Sequence, residues 1–88
     1  MLHRHAVRYL GRMPADRQAQ MKSALRAVAA LSDLAGHPNV SPMSGEWKGC
    51  HRLRVGSYRA IFHWLTSPEE PDGIMEVLII GPRGDVYK

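Results

Sequence analysis

The Gly56-Ser57 step constrains this chain more than any other feature. It lies between Arg52-Leu53-Arg54-Val55 and Tyr58-Arg59-Ala60-Ile61-Phe62-His63-Trp64-Leu65. The segment before it alternates polar and apolar, the period of a half-buried strand, and the segment after it is rich in aromatic and branched residues. A two-residue connection that begins with glycine suits a type II′ turn, whose twist matches the strands it joins. Such a turn predicts Val55 opposite Tyr58 and Arg54 opposite Arg59, with Arg52 on the same face as both arginines. Leu53, Val55, Tyr58, Ala60, Phe62 and Trp64 take the other face. Like charges opposed across two strands are destabilising, and the hairpin holds no acidic residue to offset them. Three guanidinium forks on one sheet face suit an anion such as phosphate. A basic face that meets only solvent is the alternative.

The chain has 88 residues, which over 1–88 is enough for one domain with one core and too little for two. Its net charge of +4 favours an acidic or nucleic-acid partner. Cys50 is the single cysteine, which excludes an internal disulfide and suits a reducing cytosol. It reads as a small strand residue and not as a nucleophile or ligand. No stretch approaches the roughly 18 apolar residues of a membrane span, and the first residues lack the apolar core of a signal peptide. These observations point to a soluble, cytoplasmic protein.

Residues 3 to 12 read as a short helix with Leu2, Ala6, Tyr9, Leu10 and Met13 along one side. Arg4, Arg8 and Arg12, four apart, form a basic stripe on another side that reads as a solvated face. Residues 14 to 35 read as a second helix, opened by Pro14 and Asp16 and closed by Gly36 and Pro38. Met21, Ala24, Leu25, Val28, Leu31 and Leu34 are its apolar stripe. That stripe is narrow, so the helix should lie against a sheet. Residues 36 to 46 show no period and read as a loop, with Trp47 anchoring its end; base stacking is the other use of that indole. Ser67 to Gly73 is a second, acidic loop. Ile74 to Ile80 is apolar almost throughout, which predicts a strand covered on both faces and central in the sheet. The expected order is helix, helix, strand, strand, strand.

Five histidines invite a metal, but His3 and His5 are two apart and His37 is in a loop. His51 and His63, which the hairpin brings near each other, have no carboxylate or cysteine set to complete a site. The sequence predicts neither metal nor cofactor. It also lacks a Ser/His/Asp grouping, a glycine-rich phosphate loop and paired carboxylates. Arginines, histidines and a tyrosine remain. Arg52, Arg54, Arg59 and Arg83 can stabilise charge building on a phosphate but cannot take a proton. A base must come from Tyr87, whose phenolate neighbouring cations favour, or from His51 or His63. RNA carries its own nucleophile, the 2′-hydroxyl, so cations and one base suffice for metal-independent cleavage.

Arg-Leu-Arg-Val-Gly-Ser-Tyr-Arg at 52–59, then an apolar strand and Ile-Gly-Pro-Arg-Gly-Asp-Val-Tyr at 80–87, resembles the RelE branch of the RelE/ParE toxin superfamily. The helical pair before them is similar to that family's helical hairpin, so the resemblance covers nearly the whole chain. It implies an α+β fold in which an N-terminal helical hairpin packs on a small, mainly antiparallel twisted sheet. The family's first strand is missing here, because Met1 to Arg4 is too short to supply it. The resemblance thus implies an unpaired sheet edge, open to a strand from an antitoxin or a second copy.

The implied function is that of a type II toxin–antitoxin toxin, of the kind associated with plasmid stabilisation. Such a toxin enters the ribosomal A site, cleaves mRNA there and is neutralised by a cognate antitoxin. Its partners are thus an antitoxin, the ribosome and mRNA. By resemblance, Arg52 and Arg54 stand where the family often has substrate-contacting lysines, and Arg59 matches its phosphate-binding arginine. Arg83 matches the arginine that stabilises charge or assists the leaving group, and Tyr87 the tyrosine proposed as base. Arginine at 52 and 54 shifts proton transfer to Tyr87 or to a histidine, His51 or His63. Two other readings use the same fold: a ParE-like inhibitor of DNA gyrase, and an inactive member that only binds its antitoxin.

Overall fold

The computed structural model describes residues 2–30, 37–69, 71 and 73–82. Two helices, α1 (Arg4–Arg12) and α2 (Ala15–Ala29), precede four strands: β1 (Val40–Pro42), β2 (His51–Val55), β3 (Tyr58–Leu65) and β4 (Ile74–Pro82). The strands form one antiparallel sheet in the order β1-β2-β3-β4.

Pro14 sets the break between the helices. The residue before a proline is pushed out of the helical region, and Met13 is extended there (φ −72°, ψ 151°). Gln18 on α2 reaches back, its Nε2 donating at 2.8 Å to the Leu10 carbonyl, which also accepts from the Met13 N–H at 3.2 Å, and so ties α2 to the end of α1. Ala6 and Leu10 from α1, Met13 just after it, and Met21, Leu25 and Val28 from α2 are buried, with Tyr9 and Ala24 partly so. Leu31 and Leu34 of the expected stripe lie outside the described residues. Arg4, Arg8 and Arg12 are all exposed, the solvated face expected of them.

The helices cover one sheet face, meeting Leu53, Val55, Ala60, Phe62, Met75, Val77 and Ile80 in a single core cluster. Val55 pairs with Tyr58 and Arg54 with Arg59, the expected register. Gly56 has φ +59° and, among the described residues, none other than glycine has a positive φ, so the turn carries the sign pattern of type II′. A Cβ at Gly56 would meet nothing closer than Arg17 Nη1 at 3.9 Å, so backbone strain alone opposes a side chain there. Gly56→Ala is therefore expected to destabilise the chain by about 1–3 kcal/mol, read as a lower urea midpoint with an unchanged slope.

Two expectations are corrected. Residues 36 to 46 are not all loop, because Val40–Pro42 pairs with Leu53, Arg52 and His51 as a fourth, outer strand. Three residues ending in proline carry no period of their own, and pairing with β2 is what makes them a strand. Ile74 to Ile80 is also not central: β4 ends the sheet. Its apolar run arises from a bulge. Ile61 pairs with Ile79 but Phe62 pairs with Val77, leaving Leu78 as the extra residue. The bulge shifts the alternation, so Met75, Val77 and Ile80 all reach the core. Outside β4 there is an isolated parallel bridge from Leu2 to Val77, with His3 N–H donating to the Val77 carbonyl at 2.8 Å.

Candidate functional site

The sheet face away from the helices is built by strand alternation. Register sets Ser41 of β1 beside Arg52 of β2, Arg52 opposite Ile61, and Arg54 opposite Arg59, with Gly81 of β4 on the far side of Arg59. Arg54 is exposed, while Arg52 and Arg59 are half-buried. Arg52 and Arg54 are separated along the strand by about 6.7 Å. Arg52 Nη2 donates to Ser41 Oγ at 3.2 Å, which draws that guanidinium toward the β1 edge. Opposite Arg54, Gly81 leaves the surroundings of Arg59 uncrowded by any side chain of its own. The structure thus brings together three of the five expected arginine and tyrosine positions. Arg83 and Tyr87 lie outside the described residues.

The two histidines separate. His63 lies on the arginine face, where its Nε2 and Glu76 Oε1 are 2.6 Å apart, a hydrogen-bonded pair from adjacent strands. Counted along β3, His63 is roughly 13 Å from Arg59. His51 is on the opposite face. It pairs with Phe62, and its ring stacks on that of Phe62 with centroids 5.7 Å apart and planes 23° apart. The expectation that His51 and His63 neighbour each other is therefore wrong. His51 shares parity with Leu53 and Val55, which places it under the sheet beside the core. Its Nδ1 is buried without a hydrogen-bond partner among the described residues.

Glu76 is a member of this face that the sequence reading passed over. It was hidden in an apolar run, and its parity with His63 depends on the β3–β4 register.

The second missed feature is a hollow of about 310 Å³ at the β1 end of the arginine face. It is lined by Ser41, Pro42, Met43, Ser44, Trp47 and Arg52. The β1–β2 connection closes on itself through Met43 N–H to the Cys50 carbonyl (3.1 Å) and Cys50 N–H to the Trp47 carbonyl (2.9 Å). A single 3₁₀ turn, Gly45–Trp47, carries the indole to the rim. Gly45 and Gly49, at φ +67° and +95°, supply the left-handed corners this path requires. Cys50 lies just behind. Burial pushes its thiol up, which keeps it protonated near neutrality and fits a structural residue better than a nucleophile.

No family profile matches the chain, and no curated protein matches it in sequence. Solved structures do. The RelE–RelB complex from Pyrococcus horikoshii OT3 contains a chain similar to this one with a TM-score of 0.68 and 19% identity, over 97% of this chain and 93% of that one. The RelB–RelE antitoxin–toxin complex from Methanococcus jannaschii gives 0.69 and 15%, over 99% and 94%. The RelBE2 toxin–antitoxin complex from Mycobacterium tuberculosis gives 0.59 and 22%, over 94% of each. The matched chains are the RelE toxins of those complexes. Two helices on an antiparallel four-stranded sheet, with the strand order and helical hairpin described above, give this chain the RelE-like α+β fold.

Proposed function

We propose that this chain is the toxin of a type II toxin–antitoxin pair and acts as a ribosome-dependent, metal-independent mRNA endoribonuclease in the cytoplasm. The observation that carries the reading is the opposition of Arg54 and Arg59, with Arg52 beside them, on the face of a RelE-like sheet away from the helices. Folding gains nothing from setting like charges against each other. An anionic ligand turns that arrangement into a fork-donor surface for phosphate.

The chemistry needs little else. The substrate's 2′-oxygen attacks the adjacent phosphorus, forming the O2′–P bond as the P–O5′ bond breaks, and leaves a 2′,3′-cyclic phosphate and a 5′-hydroxyl. Arg54 and Arg59 hold the non-bridging oxygens as their charge grows. In this reading the Tyr87 phenolate takes the 2′-hydroxyl proton, Arg83 steadies the departing O5′, and that oxygen takes a proton from water to become the 5′-hydroxyl. His63 is engaged by Glu76 at the far end of the face, and His51 is beneath the sheet, so neither competes with Tyr87 for that role. An antitoxin would neutralise the toxin, as RelB accompanies RelE in the similar complexes.

Induced expression without an antitoxin is expected to arrest growth, with mRNA cut only where ribosomes are translating. Primer extension on mRNA from arrested cells, with and without a translation-initiation inhibitor, reads this out. Arrest with intact mRNA and inhibited supercoiling would instead identify a gyrase inhibitor, and no arrest would identify an inactive antitoxin-binding chain.

A further inference from the structure

We infer that the hollow between the β1–β2 connection and Arg52 is a nucleobase subsite, in which Trp47 stacks a base of single-stranded RNA adjoining the phosphate held by the arginines. The inference rests on the proposed RNA-cleaving function and deepens it.

The geometry supplies each part of such a site. Trp47 is half-buried, so its indole is braced by the chain and still offers surface to the hollow. Arg52 belongs to both places: its strand position puts it on the phosphate-binding face, and its side chain lines the hollow with a bond to Ser41 Oγ. A guanidinium held there lies along the edge of a stacked base or bridges to its phosphate. Ser41 and Ser44 add hydroxyls, which donate or accept and so meet the polar edge of a base. Pro42 and Met43 provide an apolar floor. Aromatic stacking beside a basic track is how single-stranded nucleic acid is held with little sequence preference, because every base has a π-face. Arg52 and Arg54, about 6.7 Å apart, extend that track from the hollow toward Arg59. Charge complementarity therefore favours a nucleotide over an apolar peptide as the occupant.

The test uses the intact chain and a fluorescently labelled single-stranded RNA hexanucleotide at low ionic strength, followed by anisotropy. Trp47→Ala and Trp47→Leu are each expected to weaken binding on the order of tenfold, while Trp47→Phe stays within a few-fold of the parent. A purely structural indole would be served as well by leucine as by phenylalanine, so equal binding by those two variants overturns the subsite. A second measurement avoids altering the site. With Trp64→Phe, Trp47 is the remaining indole of the chain's two, and RNA should quench its emission in step with the anisotropy. RNA that binds, and binds less well to Arg54→Ala, without changing Trp47 emission overturns the subsite and leaves the proposed function standing. RNA that binds neither the parent nor any variant overturns the subsite and leaves the proposed function, which is read on translating ribosomes, to its own test.

Discussion

Replacing Arg54 with alanine is expected to lower mRNA cleavage on translating ribosomes by about 10²- to 10³-fold while leaving the chain as stable as before, or slightly more so. The two halves of that result have separate causes. Arg54 is exposed, and its backbone N–H, which donates to the Asn39 carbonyl at 2.9 Å, survives the substitution. What leaves is a guanidinium set opposite Arg59. Relief of that like-charge pair contributes up to about 1 kcal/mol to the folded state. The same guanidinium is assigned to the non-bridging oxygens, where a single preorganised donor accounts for the stated loss.

Arg54→Lys keeps the charge and loses the fork, so its activity should fall between the parent and alanine. Arg59→Ala should match Arg54→Ala in lost cleavage. The double variant should lose less than the product of the two, since both grip one phosphate. Tyr87→Phe should cost about 10²- to 10⁴-fold if the phenol is the base. Cleavage that is unchanged in Arg54→Ala and Arg59→Ala would make the arginine face a solvated surface. Rates are read by primer extension on a defined message, and stability by urea titration of the same preparations.

The sequence disclosed the parts of this molecule that are governed by neighbouring residues. Gly56-Ser57 fixes a two-residue turn, and strand alternation then assigns every hairpin side chain to a face, including all three arginines. The α2 stripe through Met21, Leu25 and Val28 was legible for the same reason. His51 was misread as a neighbour of His63, although its parity with Leu53 and Val55 already put it on the core face.

What escaped depends on contacts distant in sequence. Val40–Pro42 is a strand only because β2 pairs with it, and the position of β4 was disguised by the Leu78 bulge, which lets three residues of uneven spacing reach the core. Glu76 meets His63, and Trp47 shares a hollow with Arg52, only after those registers and the loop through Gly45 and Gly49 are set. The hairpin therefore predicted that the three arginines share a face, and the fold was needed to show what flanks them.

Phe62→Ala is expected to destabilise the chain by about 3–5 kcal/mol, the usual cost of emptying a fully buried aromatic site. Phe62 is 0% exposed, lies on a strand with a neighbour on each side, and faces the helices from the middle of the core cluster. Its ring supports His51 on one side, and its backbone pairs with Val77 at the bulge on the other. A domain of 88 residues has a total stability of about 4–13 kcal/mol, so this single loss takes up much of the margin. Urea titration should show either a much lower midpoint or no cooperative transition, whereas Phe62→Leu, which refills most of the volume, should cost under about 1.5 kcal/mol.

The comparison with Arg54→Ala is informative for function. Both variants should abolish most cleavage, but only Phe62→Ala should do so by unfolding, and cooling or a stabilising osmolyte should restore part of its activity. No such rescue is expected for Arg54→Ala, because the face is intact and what it lacks is a donor. A Phe62→Ala chain that melts within about 1 kcal/mol of the parent would mean that β3 does not occupy the centre of the core. The hairpin register that aligns Arg54 with Arg59 would then lose its support as well.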